Sequence, residues 1–314
     1  MKLKDYIWPV VGLAAVGISA WLLYKELRSI SLDDVIDSLK AISMHRWVLA
    51  ALASLIAYAA LAGYDRIALL HLRRKISWVF IALCSFTTYA LSHNIGASVL
   101  SGAVVRYRAY SSQGMSGPEI ALLIAFCSFT FLIGVMTLSA IVLLIEPEIL
   151  QRFNSELPLS LGYILGIGSL ALILLYVFGS WLHFKPLRIR QFTLEYPRLP
   201  VVAQQLIVGP LELIGAAAII YFTLPAAGNP GFMIILGIFL VSFSAALISH
   251  APGGLGVLEL VFLTGLPDMN QADVLAALII FRLFYLLIPF ALSLVIVLVF
   301  ERSQLLLRWY KKDE

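Results

Sequence analysis

Leu247-Ile-Ser-His-Ala-Pro-Gly-Gly-Leu-Gly-Val-Leu-Glu259 closes one strongly apolar run and opens another within 13 residues. Proline removes a backbone donor and glycine reaches left-handed conformations, so a helix arriving over 231–249 has to stop here. A new half-helix starts near Leu255, with Gly253 and Gly254 before that residue and Gly256 after it. Its first amides lack partners within the helix, which suits that end to anions, phosphate included. Glu259 lies about one turn into this second piece. A shorter form of the pattern occurs at Ala90-Leu-Ser-His-Asn-Ile-Gly96, where Ser-His again closes an apolar run and a glycine breaks it. His93 and His250 stand 157 positions apart, half of the 314-residue chain. At the same offset Tyr64 matches Tyr221, Ser85 matches Ser242 and Ala59 matches Ala216.

The chain around these breaks is 61% hydrophobic and 13% charged, with a mean hydropathy of +0.96. A soluble chain carries about 25% charged residues. So few charges cannot cover a surface in water, which excludes a soluble enzyme, a nucleic-acid binder and a disordered chain. Crossing a hydrocarbon layer takes about 20 apolar residues. Eight runs meet that length: 6–24, 47–64, 76–94, 119–145, 159–182, 201–224, 231–249 and 273–300. The first reads as an uncleaved helix, because its small residues lie within the apolar run and not after it. Two further pieces, 95–105 and 251–267, are apolar, short and glycine-bearing. Between the first two runs, Ser31 starts an amphipathic helix with Leu32, Val35, Ile36, Leu39 and Ile42 on one face, either lying on the membrane surface or simply connecting. The expected fold is an all-α polytopic membrane protein with eight full spans and two broken or re-entrant segments. It forms one domain over 1–314, with candidate inverted halves 1–157 and 158–314 and no soluble domain.

The basic residues test this arrangement. If the two short pieces are ignored, 11 Lys/Arg fall on one side of the membrane and 10 on the other. If each short piece completes a crossing, 16 share the side of both termini and 5 lie opposite, with Arg282 inside a span. Cytoplasmic loops carry the excess of Lys and Arg, so the second arrangement is preferred and both termini are cytoplasmic. Five crossings per half make the second half inverted, and inverted repeats with broken helices mark transporter folds. As a helix, 11 residues reach only about 16 Å, so re-entrant pieces meeting at mid-depth are the more physical picture.

Polar residues inside a bilayer are costly and are functional candidates. Glu259 and Arg282 are expected to pair, with Arg282 also able to meet an anionic head group. Arg106 and Arg108, flanking Tyr107, suit phosphate through their forked donors or serve as ordinary cytoplasmic anchors. Glu212 follows Gly209-Pro210 and either lines a cavity, binds a proton or makes a structural hydrogen bond. Asp65-Arg66 reads as a surface pair at a helix end. His93 and His250 cap broken helix ends, or form a metal pair or proton relay; without a third ligand at suitable spacing no metal is expected. Cys84 and Cys127, inside apolar runs, imply neither a disulfide nor a metal. No nucleophile elbow, P-loop or paired-carboxylate pattern is present, so no enzyme activity is expected.

Val104-Val-Arg-Tyr-Arg-Ala-Tyr110, the break His250 to Glu259 and Ala277-Leu-Ile-Ile-Phe-Arg-Leu-Phe-Tyr285-Leu-Leu-Ile-Pro289 resemble the YbhN-type inner-membrane proteins. These are related to the membrane domain of lysylphosphatidylglycerol synthases, which aminoacylate phosphatidylglycerol and flip the product. The resemblance spans nearly the whole chain and implies a bacterial inner-membrane protein that moves a phospholipid or lipid-linked amphiphile between leaflets. It implies no lysylphosphatidylglycerol synthesis, since the aminoacyltransferase domain has no counterpart here. Arg106, Arg108, His250, Gly253, Gly254, Gly256, Glu259 and Arg282 are the expected substrate-binding set, and His93, Glu212, Tyr107 and Tyr285 the expected cavity lining. Membrane phospholipids are the expected partners, without cofactor or nucleic acid; a homo-oligomer or a lipid-synthesising enzyme partner is left open. A membrane-embedded enzyme acting on lipid head groups and an accessory subunit of phospholipid or cardiolipin synthesis are the competing readings.

Overall fold

The computed structural model describes residues 31–95, 98–182, 187–189, 192–194, 197–249 and 252–310. It begins with α1 (Leu32–Ala41), whose N-cap Ser31 accepts a hydrogen bond from the Asp33 amide at 3.1 Å. Val35 is buried while Leu32 and Ile36 are exposed, and α1 packs on a later helix, α10 (Gln271–Phe281). The chain continues through α2 (Met44–His71), α3 (Trp78–Ile95), α4 (Ser98–Ser111), α5 (Gly117–Ile145) and α6 (Leu159–Trp181). A small antiparallel ribbon, β1 (Leu187–Ile189) with β2 (Phe192–Leu194), is the one departure from helix among the described elements. Then come α7 (Leu199–Thr223), α8 (Phe232–Ser249), α9 (Val257–Gly265) and α10, a π-helical turn over Arg282–Leu287, and α11 (Ile288–Tyr310).

Among the described residues six stretches are long and apolar enough to cross a membrane: α2, α5, α6, α7, α8 and Gln271–Phe300. They match six of the eight expected runs. The run 6–24 lies outside the described residues. The run 76–94 forms α3, which is not among the six; Ser85, Thr87, Thr88, Ser92, His93 and Asn94 make it polar from its middle to its end. Three of them bond within the protein: the Ser85 hydroxyl donates to the Leu61 carbonyl at 2.8 Å, the Ser92 hydroxyl to that of Thr88 at 2.6 Å and the Asn94 amide to that of Ala90 at 2.8 Å.

The central contact is α2 against α7. Lipid chains are as apolar as leucine, so helices in a membrane associate by close packing of small residues. Gly215 of α7 rests on the α2 backbone, where an added Cβ would lie 2.9 Å from both the Ala53 carbonyl oxygen and the Ala57 nitrogen. Gly134 of α5 crosses Gly209 of α7 equally tightly, with room for a Cβ on neither. By contrast α6 lies at the periphery with Ile164, Ile167 and Leu175 exposed, as suits a helix that faces lipid. Helix α5 begins with Ser116, whose amide and hydroxyl both donate to Glu119 Oε2 at 2.8 Å. Arg74 closes that corner through Nε at 2.8 Å and Nη2 at 2.5 Å from Glu119 Oε1.

The two breaks expected from sequence fall between α3 and α4 and between α8 and α9. Each short helix folds back on its predecessor, α4 against α3 and α9 against α8. With 14 and 9 residues, α4 and α9 reach only about 21 and 14 Å, less than the roughly 30 Å of hydrocarbon.

Candidate functional site

At the second break the backbone of Gly253, Gly254 and Gly256 takes φ values of 59°, 64° and 78°. Side chains disfavour this left-handed region, which explains the glycines. The turn delivers Glu259 into the first turn of α9, where its Oε2 accepts from the Gly256 amide at 2.9 Å. Arg282 reaches the same carboxylate from the π turn, with Nε 2.7 Å and Nη2 2.5 Å from Oε1. Its Nη1 donates to the Gly253 carbonyl at 2.9 Å, tying the arginine to the break itself. The anticipated Glu259–Arg282 pair is therefore present, with side-chain exposures of 11% and 15%. Nη2 lies off the hydrogen-bonding direction of Oε1 and has no aligned acceptor among the described residues, so the guanidinium retains donor capacity beyond its present bonds.

The π turn also meets the first break. Three successive carbonyls, of Phe284, Tyr285 and Leu286, accept from Ser54 at 2.8 Å, Tyr58 at 2.9 Å and Asn94 at 3.1 Å. His93 stacks on Tyr285 with ring centroids 5.2 Å apart and meets Phe243 edge-on at 6.0 Å. Its Nδ1 is buried without a hydrogen-bond partner among the described residues. His250 lies outside the described residues.

Glu212 is 1% exposed near the middle of α7. The Tyr285 hydroxyl donates to its Oε1, and the Tyr64 hydroxyl lies 3.5 Å from its Oε2. Glu212 thus makes an interhelical hydrogen bond, one of the three roles expected of it, and its partner Tyr285 was expected as cavity lining; Tyr64 is a third member, which in the sequence marks only the repeat.

Arg106, Tyr107 and Arg108 do not converge on one ligand. Residues two apart on a helix face opposite sides, and α4 buries Arg106 while leaving Tyr107 and Arg108 exposed. Arg106 Nη2 lies 2.6 Å from Asp65 Oδ1 and its Nε 3.3 Å from Oδ2. The Tyr110 hydroxyl donates to Asp65 at 2.8 Å, and the Tyr89 ring lies 4.9 Å from the guanidinium carbon. This corrects the reading of Asp65-Arg66 as a surface pair. Helix α2 runs on to His71, so Asp65 lies nearly two turns inside it and is fully buried. Extending the apolar run through Ile67-Ala-Leu-Leu70 would have revealed that position. Among the described residues no three His, Cys, Asp or Glu side chains gather as a metal site.

A bundle of apolar spanning helices whose polar interior collects around two broken hairpins and a π turn defines a polytopic membrane protein. The sequence comparisons specify which kind. Residues 12–293 match the family model described as the lysylphosphatidylglycerol synthase TM region, and the chain belongs to that family. It is 32% identical to an uncharacterized protein of Synechocystis sp., over 92% of this chain and 89% of that one. It is 29% identical to the inner membrane protein YbhN of Escherichia coli K12, over 81% of this chain and 79% of YbhN. A phosphatidylglycerol lysyltransferase of Staphylococcus haemolyticus is 25% identical over 87% of this chain, which corresponds to 32% of that longer protein.

Proposed function

We propose that this protein translocates a phospholipid or related lipid-linked amphiphile between the leaflets of a bacterial inner membrane, with both termini cytoplasmic and without chemically altering the lipid. The observation that carries this reading is the Arg282–Glu259 pair at the seam of the two breaks. An arginine at this depth is costly unless matched by an acid, and here its acid also caps the half-helix of the second break. Two oxygens of a tetrahedral phosphate can accept from the guanidinium fork, as the two of a carboxylate can. A head group that enters between the hairpins competes with Glu259 for Arg282 and meets the amide end of α9, while the acyl chains stay in lipid. When the head group leaves, Glu259 closes on Arg282 again. Support for two inverted halves comes from element order: α2, α3, α4 and α5 recur as α7, α8, α9 and the α10–α11 stretch at an offset near 157. The lysyltransferase relatives place this region beside an activity on phosphatidylglycerol, which points to a phospholipid as cargo.

Proteoliposomes with a fluorescent phospholipid test the proposal. The wild-type protein should equilibrate the label between leaflets, and Arg282→Ala should slow this at least about tenfold, the equivalent of one lost charged hydrogen bond. Glu259→Gln should also slow it, because the arginine then lacks a counter-charge between cycles. Head-group turnover without leaflet exchange, or no exchange by a folded wild type, would overturn the reading.

A further inference from the structure

Glu212 stands apart from the two ion pairs. The buried cations on neighbouring elements are committed elsewhere, Arg106 to Asp65 and Arg282 to Glu259. The titratable groups in contact with it are Tyr64 of α2 and Tyr285 of the π turn; Tyr58 and His93 pack on Tyr285, Tyr89 packs on Tyr64, and Cys127 of α5 faces Asp65. Glu119 and Asp273 stand in the first turns of α5 and α10, Tyr176 of α6 is bonded to Gln205, and α8 carries no titratable residue. Among the described residues no positive charge answers the carboxyl of Glu212.

The shorter of the two Tyr64 contacts favours a proton on Glu212. The Tyr64 hydroxyl lies 3.2 Å from the Gly209 carbonyl and 3.5 Å from Glu212 Oε2. A phenol has one proton to donate, and a carbonyl oxygen only accepts. With Tyr64 donating to Gly209, its contact with Oε2 becomes a hydrogen bond only when the proton is carried by Glu212. The Tyr285 hydroxyl then donates to Oε1, the carbonyl oxygen of the neutral acid. Both carboxyl oxygens are satisfied in this state, and no unpaired charge is held at the centre of the bundle.

We propose that Glu212 is a proton-binding site in the membrane interior, occupied in the resting protein and able to exchange with water. On release the O–H bond of Glu212 breaks, the carboxylate keeps the electron pair and the proton passes to water. Tyr64 then turns its hydroxyl from Gly209 to the carboxylate, so the change is felt where α2 meets the Gly209–Pro210 stretch of α7. This assignment is independent of whether the chain moves lipid.

Infrared spectra of the full-length protein in lipid bilayers test it. At neutral pH the wild type should show the C=O stretch of a protonated buried carboxylic acid, lost reversibly when the pH is raised. Glu212→Gln should remove the band, Glu259→Gln should leave it, and Tyr285→Phe should move it to higher frequency because the carbonyl loses its donor. Glutamine keeps a donor for Tyr64 and an acceptor for Tyr285, so the variant should melt within a few degrees of the wild type. If it does not fold, the Tyr285→Phe shift decides. A missing band at neutral pH, as a bound metal cation would produce, overturns the proposal. So does a band that persists in Glu212→Gln, ignores Tyr285→Phe, or resists every pH short of unfolding.

Discussion

Two buried ion pairs in this protein differ in what surrounds them: one is saturated and the other keeps a donor to spare. Asp65 is saturated: Arg106 occupies both its oxygens, Tyr110 donates to one and the Cys127 thiol lies 3.4 Å from the other. Removing one partner strands a charge in the bundle, at a cost of about 3–5 kcal/mol, whereas replacing both by apolar residues is often neutral. Asp65→Leu should therefore lower the melting temperature of the purified protein sharply, and Asp65→Leu with Arg106→Leu should recover most of the loss. Equal destabilisation by the single and double variants would mean that the pair does not act as a unit. Arg282 is less fully committed: among the described residues its Nη2 lacks an aligned acceptor beside a glycine break, which leaves a donor for the proposed head-group contact. The Glu259–Arg282 pair was legible in sequence because few charges fall within apolar runs and each needs a partner. The Arg106–Asp65 pair was not, because its discovery depended on where α2 ends, and an apolar run terminated at Tyr64 hides an acid one residue further on.

The elements that hold these residues were legible to different degrees for a physical reason. Proline and glycine act through their own backbone, so the break at 252–256 is written where it occurs. The π turn over Arg282–Leu287 has no such local mark, since Arg-Leu-Phe-Tyr-Leu-Leu reads as plain helix. Its widening is matched by donors far away in sequence, Ser54 and Tyr58 on α2 and Asn94 on α3, which meet the carbonyls of residues 284–286. Such turns recur at functional sites, and this one carries both Arg282 and Tyr285. The same distance problem applies to small residues, whose meaning depends on the facing helix. Gly215 touches backbone atoms that cannot rotate away, so Gly215→Ala should cost about 1–3 kcal/mol through overpacking. Gly168 on α6 has nothing within 4 Å of an added Cβ, and Gly168→Ala should leave stability unchanged or slightly improved. Thermal unfolding in one detergent compares the two directly, and equal effects would remove close packing as the basis of the α2–α7 contact.

Across the whole molecule, polar contacts between helix ends constrain how the chain threads the membrane, because two ends that touch share a side. Arg46 at the start of α2 donates to the Leu224 carbonyl after α7 at 2.5 Å. Arg74 after α2 pairs with Glu119 at the start of α5. Arg152, between α5 and α6, donates to the Gly265 carbonyl at 3.1 Å and lies 3.5 Å from Asp268. An arrangement in which α3 crosses alone and α4 does not return would put Arg74 and Glu119 on opposite faces, against their contact. An arrangement in which each broken hairpin enters and leaves by one face satisfies all three contacts and gives the sixteen-to-five division of Lys and Arg. It places the 146–158 segment and Asn270 outside, and Gln113 inside. A single cysteine at Ser155 should then react with an impermeant maleimide in intact cells, as should one at Asn270, while one at Gln113 should react only after the membrane is opened. The native Cys84 and Cys127 are both buried and should contribute little background. Labelling of Gln113→Cys and Ser155→Cys from the same side would abolish the inversion between halves, and with it the reason for two hairpins to meet from opposite faces at Arg282.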